Sequence, residues 1–360
     1  MSNTIGERFR VTIWGQSHSP AIGCVIEGLP AGFSPDWAGV RAFMRRRAPN
    51  GGALSTARVE ADEPEILSGL NEKGQTCGAP LCMRIVNSDA RSRDYDRLRD
   101  VPRPGHADYP AWARFHGAND IRGGGQFSGR LTAPLCFAGA LALQLLEARG
   151  VRVRARAQAI AGIQDAPLDE AAPDLDAISS GDLPTADARA AERMRQAVAQ
   201  ARADGDSVGG IVECFAVGLP AGLGDPMFGG VENRLAQALW GIPAVRGVEF
   251  GAGFAASGMR GSAHNDGWRV RDGRVIADTN RHGGVLGGIT TGMPLVVRAA
   301  FKPTPSIAVA QRSVSLGRME DETLTVEGRH DPCIVPRAVP CVEAAVAVTL
   351  YDLIIAEGGY

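Results

Sequence analysis

The chain has 360 residues, 44% of them apolar, 22% charged and 6% aromatic, with a formal net charge of −2. That length exceeds one small core and leaves room for two domains. The charge excludes a global basic field for nucleic acid, and so few aromatics leave few platforms for base stacking. In chain order, Arg10 to Trp14 reads as a strand running into Gly15-Gln16-Ser17-His18-Ser19. A second strand at Ile22 to Glu27 ends in Gly28-Leu29-Pro30-Ala31-Gly32. Ser34 as N-cap with Pro35 at the first helical position predicts a helix ending in Arg45-Arg46-Arg47. The triple arginine suits the negative end of a helix dipole, or a basic lip over an anion site. Leu81 to Val86 reads as a strand and Asp89 to Arg99 as a solvated, charge-rich loop.

Residues 102 to 132 are the densest stretch. Arg103, Arg114, Arg122 and Arg130 fall there with His106, His116, Gly123-Gly124-Gly125 and Gly129. Bare backbone N–H groups beside guanidinium forks suit a multiply anionic ligand. A helix starting near Ser128 or Thr132 would add a positive dipole end. The alternative is a solvated loop that needs glycine for its turns. Thr132 to Arg149 is apolar at helical spacing, with Gly150 as the stop. Val151 to Ile163 alternates like a strand with one wet face, 164 to 183 is an acidic, proline-rich excursion, and 184 to 204 reads as an amphipathic surface helix.

Gly209 to Val217 is again a strand, and again it ends in GLPAG at Gly218 to Gly222. The echo suggests two similar halves, 1–150 and 205–360, joined by a strand, the acidic loop and the surface helix. Strands at Val245 to Phe250 and Leu295 to Ala300 flank a glycine-rich tract with His264 and His282. Neither G-x-G-x-x-G nor a P-loop is present. Lys302-Pro303-Thr304-Pro305-Ser306 places a cation and two hydroxyls on a proline-stiffened loop, as a phosphate ligand set would. Arg329-His330-Asp331-Pro332-Cys333 and an apolar helix from Ala338 to Ala356 complete the chain.

Lysine occurs only at 73 and 302, so an anion site must come from clustered arginine. Seven scattered cysteines, without C-x-x-C or zinc spacing, predict reduced, buried thiols, no metal and a cytoplasmic protein. There is no signal pattern and no apolar run of membrane-spanning length, so no membrane partner is expected. His18, His106, His282 and His330 sit in Gly/Pro-rich loops beside hydroxyls or arginine, where proton donors are usually built. There is no G-x-S-x-G elbow and no obvious carboxylate pair. Proton transfer on a phosphorylated or polycarboxylate substrate fits these parts best.

These motifs, in this order, resemble the chorismate synthase family. GQSHS at 15–19 is similar to its GESHG signature, and RPGHADY at 103–109 matches closely. GGGQFSGRLT at 123–132 resembles GGGRSSARET, and FKPTPSI at 301–307 resembles KPTSSI. RHDPC at 329–333 with the following RAVPCVEA matches the third signature. The resemblance covers nearly the whole chain. It implies a single α+β domain, a β-α-β sandwich with helices between two antiparallel sheets, in a homotetramer. It implies anti-1,4-elimination of phosphate from 5-enolpyruvylshikimate 3-phosphate with reduced FMN.

By the same resemblance, His18 protonates the leaving phosphate, His106 acts at the flavin and Asp331 handles the departing proton. Ser17, Arg47 and Arg130 contact substrate. Arg47, Ser128, Ala244, Gly287, Lys302, Pro303, Thr304, Ser306 and Arg329 contact the cofactor. No insertion dedicated to flavin reduction is apparent, which implies an external flavin reductase with NADPH as indirect reductant. The chain departs from the pattern at Gln16, Ser19, Ala53, Gln126, Phe127, Gly129, Leu131 and Pro243. Each lost Arg–phosphate contact would cost about 1.5–3 kcal/mol. The alternatives are a diverged paralogue acting with flavin on another phosphorylated substrate, or a non-catalytic flavin- or anion-binding protein.

Overall fold

The computed structural model describes residues 3–49, 54, 62–87, 97–326 and 331–358. In chain order the first half contains β1 (Thr4–Ile5), β2 (Arg10–Gly15), β3 (Ala21–Glu27), α1 (Trp37–Arg47), β4 (Glu65–Ser68), β5 (Leu81–Val86), α2 (Asp108–Phe115) and α3 (Thr132–Glu147). The second contains β6 (Arg152–Ile160), β7 (Ile163–Gln164), α4 (Ala188–Ala203), β8 (Gly210–Val217), α5 (Val231–Trp240) and β9 (Val245–Phe250). It continues through α6 (Gly261–His264), β10 (Trp268–Arg271), β11 (Arg274–Ala277), β12 (Val285–Leu286), β13 (Ile289–Thr290), β14 (Leu295–Phe301), β15 (Gln311–Ser315), β16 (Glu320–Leu324) and α7 (Val335–Ala356).

Two five-stranded antiparallel sheets sandwich the helices, in the orders β1-β2-β3-β5-β4 and β7-β6-β8-β14-β9. Among the four main strands of each sheet the order is the same: first, second, fourth, third. A helix follows the second strand in both halves (α1, α5), and a longer one follows the fourth (α3, α7). The repeated GLPAG makes the same exit twice. Gly28 and Gly218 have φ of 83° and 87°, and a Cβ there would lie 1.9 Å from the Arg8 carbonyl and 2.2 Å from the Gly150 carbonyl. Only glycine permits that backbone sign and that approach. The strand before α4 pairs with β8 along its length, so it belongs to the second sheet and the excursion is inserted after it.

The layers meet at α3 and α7. A Cβ on Gly139 would lie 2.3 Å from that of Ala344, so the helix backbones nearly touch there. The segments Gly129–Glu147 and Val335–Ala356 have the length and hydropathy of membrane spans, but 78% and 94% of their apolar windows are buried inside the protein. They are core helices.

Local details differ from the sequence reading. The N-cap of α1 is Asp36, whose carboxylate accepts the Ala38 N–H at 3.0 Å, and the helix starts at Trp37. Ser34-Pro35 stays outside it. The wet face expected on β6 is dry at Arg156, which is buried and paired with Glu213 (2.8 Å) and Asp165 (2.7 Å). Asp165 comes from the acidic excursion, so that segment covers the strand. Asp89 to Asp96 lie outside the described residues, and Arg97–Arg99 form a short 3-10 turn.

Candidate active site

The loops at one end of the sandwich enclose a cleft of about 710 Å³. The β2–β3 loop brings Ser17 and His18 to it. The end of α1 brings Arg47, and the Gly123-Gly124-Gly125 turn leads through Ser128 to Arg130. The second half supplies Trp240 to Arg246, Phe301, Lys302, Thr304 to Ser306, Asp331, Ile334, Arg337, Ala338 and Cys341.

The three glycines have φ of 58°, 84° and 55°, a left-handed path closed to most side chains. A Cβ on Gly123 would meet His18 Nδ1 at 2.5 Å, and one on Gly124 would meet His106 Nε2 at 3.2 Å. The turn therefore threads between two imidazoles, and bare backbone lets both approach. The Gly125 carbonyl accepts the Ser17 N–H at 3.1 Å, and Ser17 Oγ lies 3.1 Å from His18 Nδ1. Ser19 closes the same loop: its hydroxyl donates to the Ala21 carbonyl and accepts from the Gln16 N–H.

His106 Nδ1 lies 2.5 Å from Asp108 Oδ1. Arg103 also reaches Nδ1, at 3.2 Å, but a guanidinium only donates, so the Nδ1 proton belongs to the Asp108 contact. Nε2 then faces the glycine turn. Arg103 gives Asp108 three more hydrogen bonds, from its backbone N–H, Nε and Nη2. Burial pushes the Asp108 carboxyl up, but Arg103 and His106 outweigh it and hold it far below the usual carboxylate range.

Six cations are among the described residues that line the cleft: Arg47, Arg103, Arg130, Arg246, Lys302 and Arg337. Asp331 is the single carboxylate among its described lining residues, 2.5 Å from Arg337. Arg47 and Arg130 share buried Asp62, Arg47 at 2.5 Å. Arg47 also donates to Thr132 Oγ1 (3.1 Å) and the Gly129 carbonyl (3.2 Å). Burial opposes the Asp62 charge, yet the two guanidinium groups keep its carboxyl below the usual range. Lys302 donates to the Gly105 carbonyl at 2.8 Å, and burial with Arg246 and Arg103 nearby lowers its ammonium pKa. A chain of net negative charge thus carries a strongly cationic cleft.

Ser17, His18, Arg47, His106, Ser128, Arg130, Ala244, Lys302, Thr304, Ser306 and Asp331 all line this cleft, and Pro303 sits within the same loop. Gly287 does not. It lines a separate cavity of about 430 Å³ with Glu232, His264, Arg281 and His282. Arg329, His330 and Ala53 lie outside the described residues. Of the other arginines in the dense stretch, Arg122 turns to Asp120 and Arg114 is exposed. The triple arginine divides: Arg45 is exposed, Arg46 pairs with buried Glu343 at 2.5 Å, and Arg47 enters the cleft. Asp62, Asp108, Arg246 and Arg337 were not singled out from sequence. The H-x-D spacing of His106 and Asp108 was a usable signal; Asp62 carried none.

A family model described as chorismate synthase matches residues 9–355. The chain is 50% identical over 347 residues to a chorismate synthase of Thermococcus gammatolerans, covering 96% of each chain. It is 49% identical over 356 residues to one of Archaeoglobus fulgidus, covering 99% of this chain and 98% of that one. Against one of Lancefieldella parvula it is 45% identical over 365 residues, covering 98% and 96%. It also resembles a solved structure titled "Crystal Structure of Chorismate Synthase", with a TM-score of 0.76 at 25% identity, covering 98% of this chain and 93% of that one.

Proposed function

This chain belongs to the chorismate synthase family, and from that premise we propose how its cleft serves the reaction. The enzyme is a lyase of the shikimate pathway, in aromatic amino acid biosynthesis. It converts 5-enolpyruvylshikimate 3-phosphate to chorismate and phosphate by anti-1,4-elimination, and it depends on a flavin. The substrate brings one phosphate and two carboxylates. Arg47 and Arg130, already fixed by Asp62, bind these groups and hold the ring against the glycine turn. His18, oriented by Ser17, donates a proton to the departing phosphate oxygen, which keeps a full dianion from building up on the leaving group. Asp331, paired with Arg337, accepts the proton that leaves at the end of the cycle.

The donor set fits FMN. Thr304 Oγ1 is buried and has no hydrogen-bond partner among the described residues, and a phosphate oxygen would satisfy it. Lys302, Ser306 and Arg246 would complete that end, while Ile242, Ala244, Val245 and Ile334 offer an apolar wall to a ring. When bound, reduced flavin supplies the electron density that makes the allylic C–O bond labile. His106, held in one tautomer by Asp108, keeps Nε2 directed into the site and donates there when protonated.

We further propose reduced FMN delivered by a separate reductase drawing on NADPH, a cytoplasmic location and a homotetramer. The seven cysteines, none in a disulfide, support a reducing compartment. Exposed Phe228, Phe254, Trp268 and Val270 supply apolar surface for subunit contacts, which light scattering would test.

The observation that carries the reading is the placement of His18 and His106 on either side of one glycine turn inside a cationic cleft. The test is anaerobic turnover with reduced FMN and 5-enolpyruvylshikimate 3-phosphate, followed by chorismate absorbance. A fall in turnover of about 10²- to 10⁴-fold in His106→Ala, still measurable, is the expected result. No chorismate from FMN-loaded protein would overturn the assignment of roles.

A further inference from the structure

Two thiols lie under the cleft, and the reaction does not use them. Cys341 on α7 lines the cleft floor, and the Cys136 thiol on α3 donates to its sulfur at 3.9 Å. The same three-residue step along each helix leads from these cysteines to Gly139 and Ala344, where the backbones nearly touch. The two helices therefore run side by side through this point, held close by a contact that leaves no room for a methyl group. A disulfide needs Cβ atoms about 3.8 Å apart and sulfurs about 2.05 Å apart. The sulfurs already touch at 3.9 Å, and the bond forms by closing that gap.

The two thiols differ in surroundings. Arg47 from α1, Arg337 from α7 and the Thr132 hydroxyl from α3 act on Cys341, while Cys136 feels Arg47 and Arg46 of α1. The hydrogen bond from Cys136 comes first in lowering the Cys341 thiol below its usual value; burial opposes it, and Arg47 and Arg337 assist. Burial pushes Cys136 up. The protonated form of Cys341 has one competing contact, to the Arg337 carbonyl at 3.2 Å. Both sulfurs are buried, but Cys341 borders the cleft in an electropositive setting while Cys136 lies behind it in contact, the arrangement of an attacking and a resolving cysteine.

We propose that Cys341 and Cys136 form a peroxide-oxidation site in the cleft floor. Cys341 thiolate attacks one peroxide oxygen, the O–O bond breaks, and hydroxide leaves as water after taking a proton. Cys341 becomes a sulfenic acid. Cys136 then attacks that sulfur and expels the second oxygen as water. The two thiols lose two electrons in all, and the peroxide is reduced to two waters. The peroxide arises where oxygen reoxidises a reduced flavin, a source that rests on the functional reading above. The resulting bond ties the two central helices together beneath Arg47 and Arg337.

The test adds hydrogen peroxide itself, so its outcome is separate from flavin binding or turnover. Reduced full-length protein is treated at neutral pH, alkylated under denaturing conditions and mapped without reductant. The expected result is loss of two of the seven free thiols. A linked peptide pair should carry Cys136 and Cys341, and both thiols should return with dithiothreitol. Exposed Cys77 is the internal control and should be lost more slowly than Cys341. In Cys136→Ala the linked pair disappears and dimedone labels Cys341. The wild-type map stands by itself should that variant fold poorly. Loss of Cys77 with Cys341 still alkylatable would overturn the proposal, as would oxidised Cys341 in wild type with no link to Cys136.

Discussion

Replacing Asp108 with Asn isolates what the carboxylate does for His106. The substitution keeps shape and removes a charge that accepts from His106 Nδ1 at 2.5 Å and from three donors of Arg103. An amide offers one oxygen in place of two, and Arg103 competes for it. The Nδ1 proton loses its charged acceptor, so the tautomer with Nε2 protonated becomes accessible. Hydrogen bonds to charged groups are worth about 1.5–3 kcal/mol. At 1.4 kcal/mol per decade, kcat should fall by about 10- to 150-fold. Arg103 also loses its partner in a buried pair, so stability should fall by about 3–5 kcal/mol, and denaturation must be measured alongside. The decisive assay is a double-mutant cycle in anaerobic turnover. If Asp108 acts through His106, Asp108→Asn combined with His106→Ala costs no more than His106→Ala alone. Fully additive losses, or an Asp108→Asn enzyme with wild-type kcat, would refute the reasoning.

Removing the carboxylate that Arg47 and Arg130 share tests their role as an anion site. Asp62→Asn should destabilise the ligand-free protein by about 3–5 kcal/mol, and phosphate should raise its melting temperature more than it raises that of wild type. Thr304→Val deletes the unpartnered hydroxyl; FMN binding followed by fluorescence quenching should weaken about tenfold, with the melting temperature little changed. Asp62 and Asp108 both titrate below the ordinary carboxylate range in the folded state. The stability they contribute is therefore complete above their unfolded value, and it is lost as pH falls through the folded ones. The urea midpoint should hold from neutral pH to about 5 and decline below about 4, and the decline should shrink in Asp62→Asn.

What the sequence disclosed follows from the range of the interaction that fixes each feature. Strands such as Arg10–Gly15 and Leu295–Phe301, and the apolar helices that became α3 and α7, are set by local alternation and periodicity, and were legible. α2 is only eight residues long, too short for a periodic signal, and β10 is wholly exposed along Trp268–Arg271 and carries no buried stripe. The motif loops announced His18, His106 and Lys302 because glycine and proline mark where backbone must approach closely, whereas Asp331 came only from the family resemblance. Arg156 misled the reading because its face is covered by Asp165, a residue of a separate excursion. Asp62 was invisible for the same kind of reason: nothing near residue 62 predicts that the chain returns it to Arg47 and Arg130.

The placement of the carboxylates explains how so many cations coexist before a ligand arrives. Asp62, Asp108 and Asp331 each neutralise arginines of the cleft, and Asp62 and Asp108 do so from outside its lining. A bare cluster of buried guanidinium groups would cost several kcal/mol in desolvation and mutual repulsion. Pairing them from behind removes most of that cost and fixes the forks in one orientation. Arg47 illustrates the result. It uses three of its five N–H groups on Thr132, Asp62 and Gly129, and two remain for an incoming anion. The ligand then binds oriented donors without having to order them, so less of the binding energy goes into arranging side chains and more remains for the reacting bond.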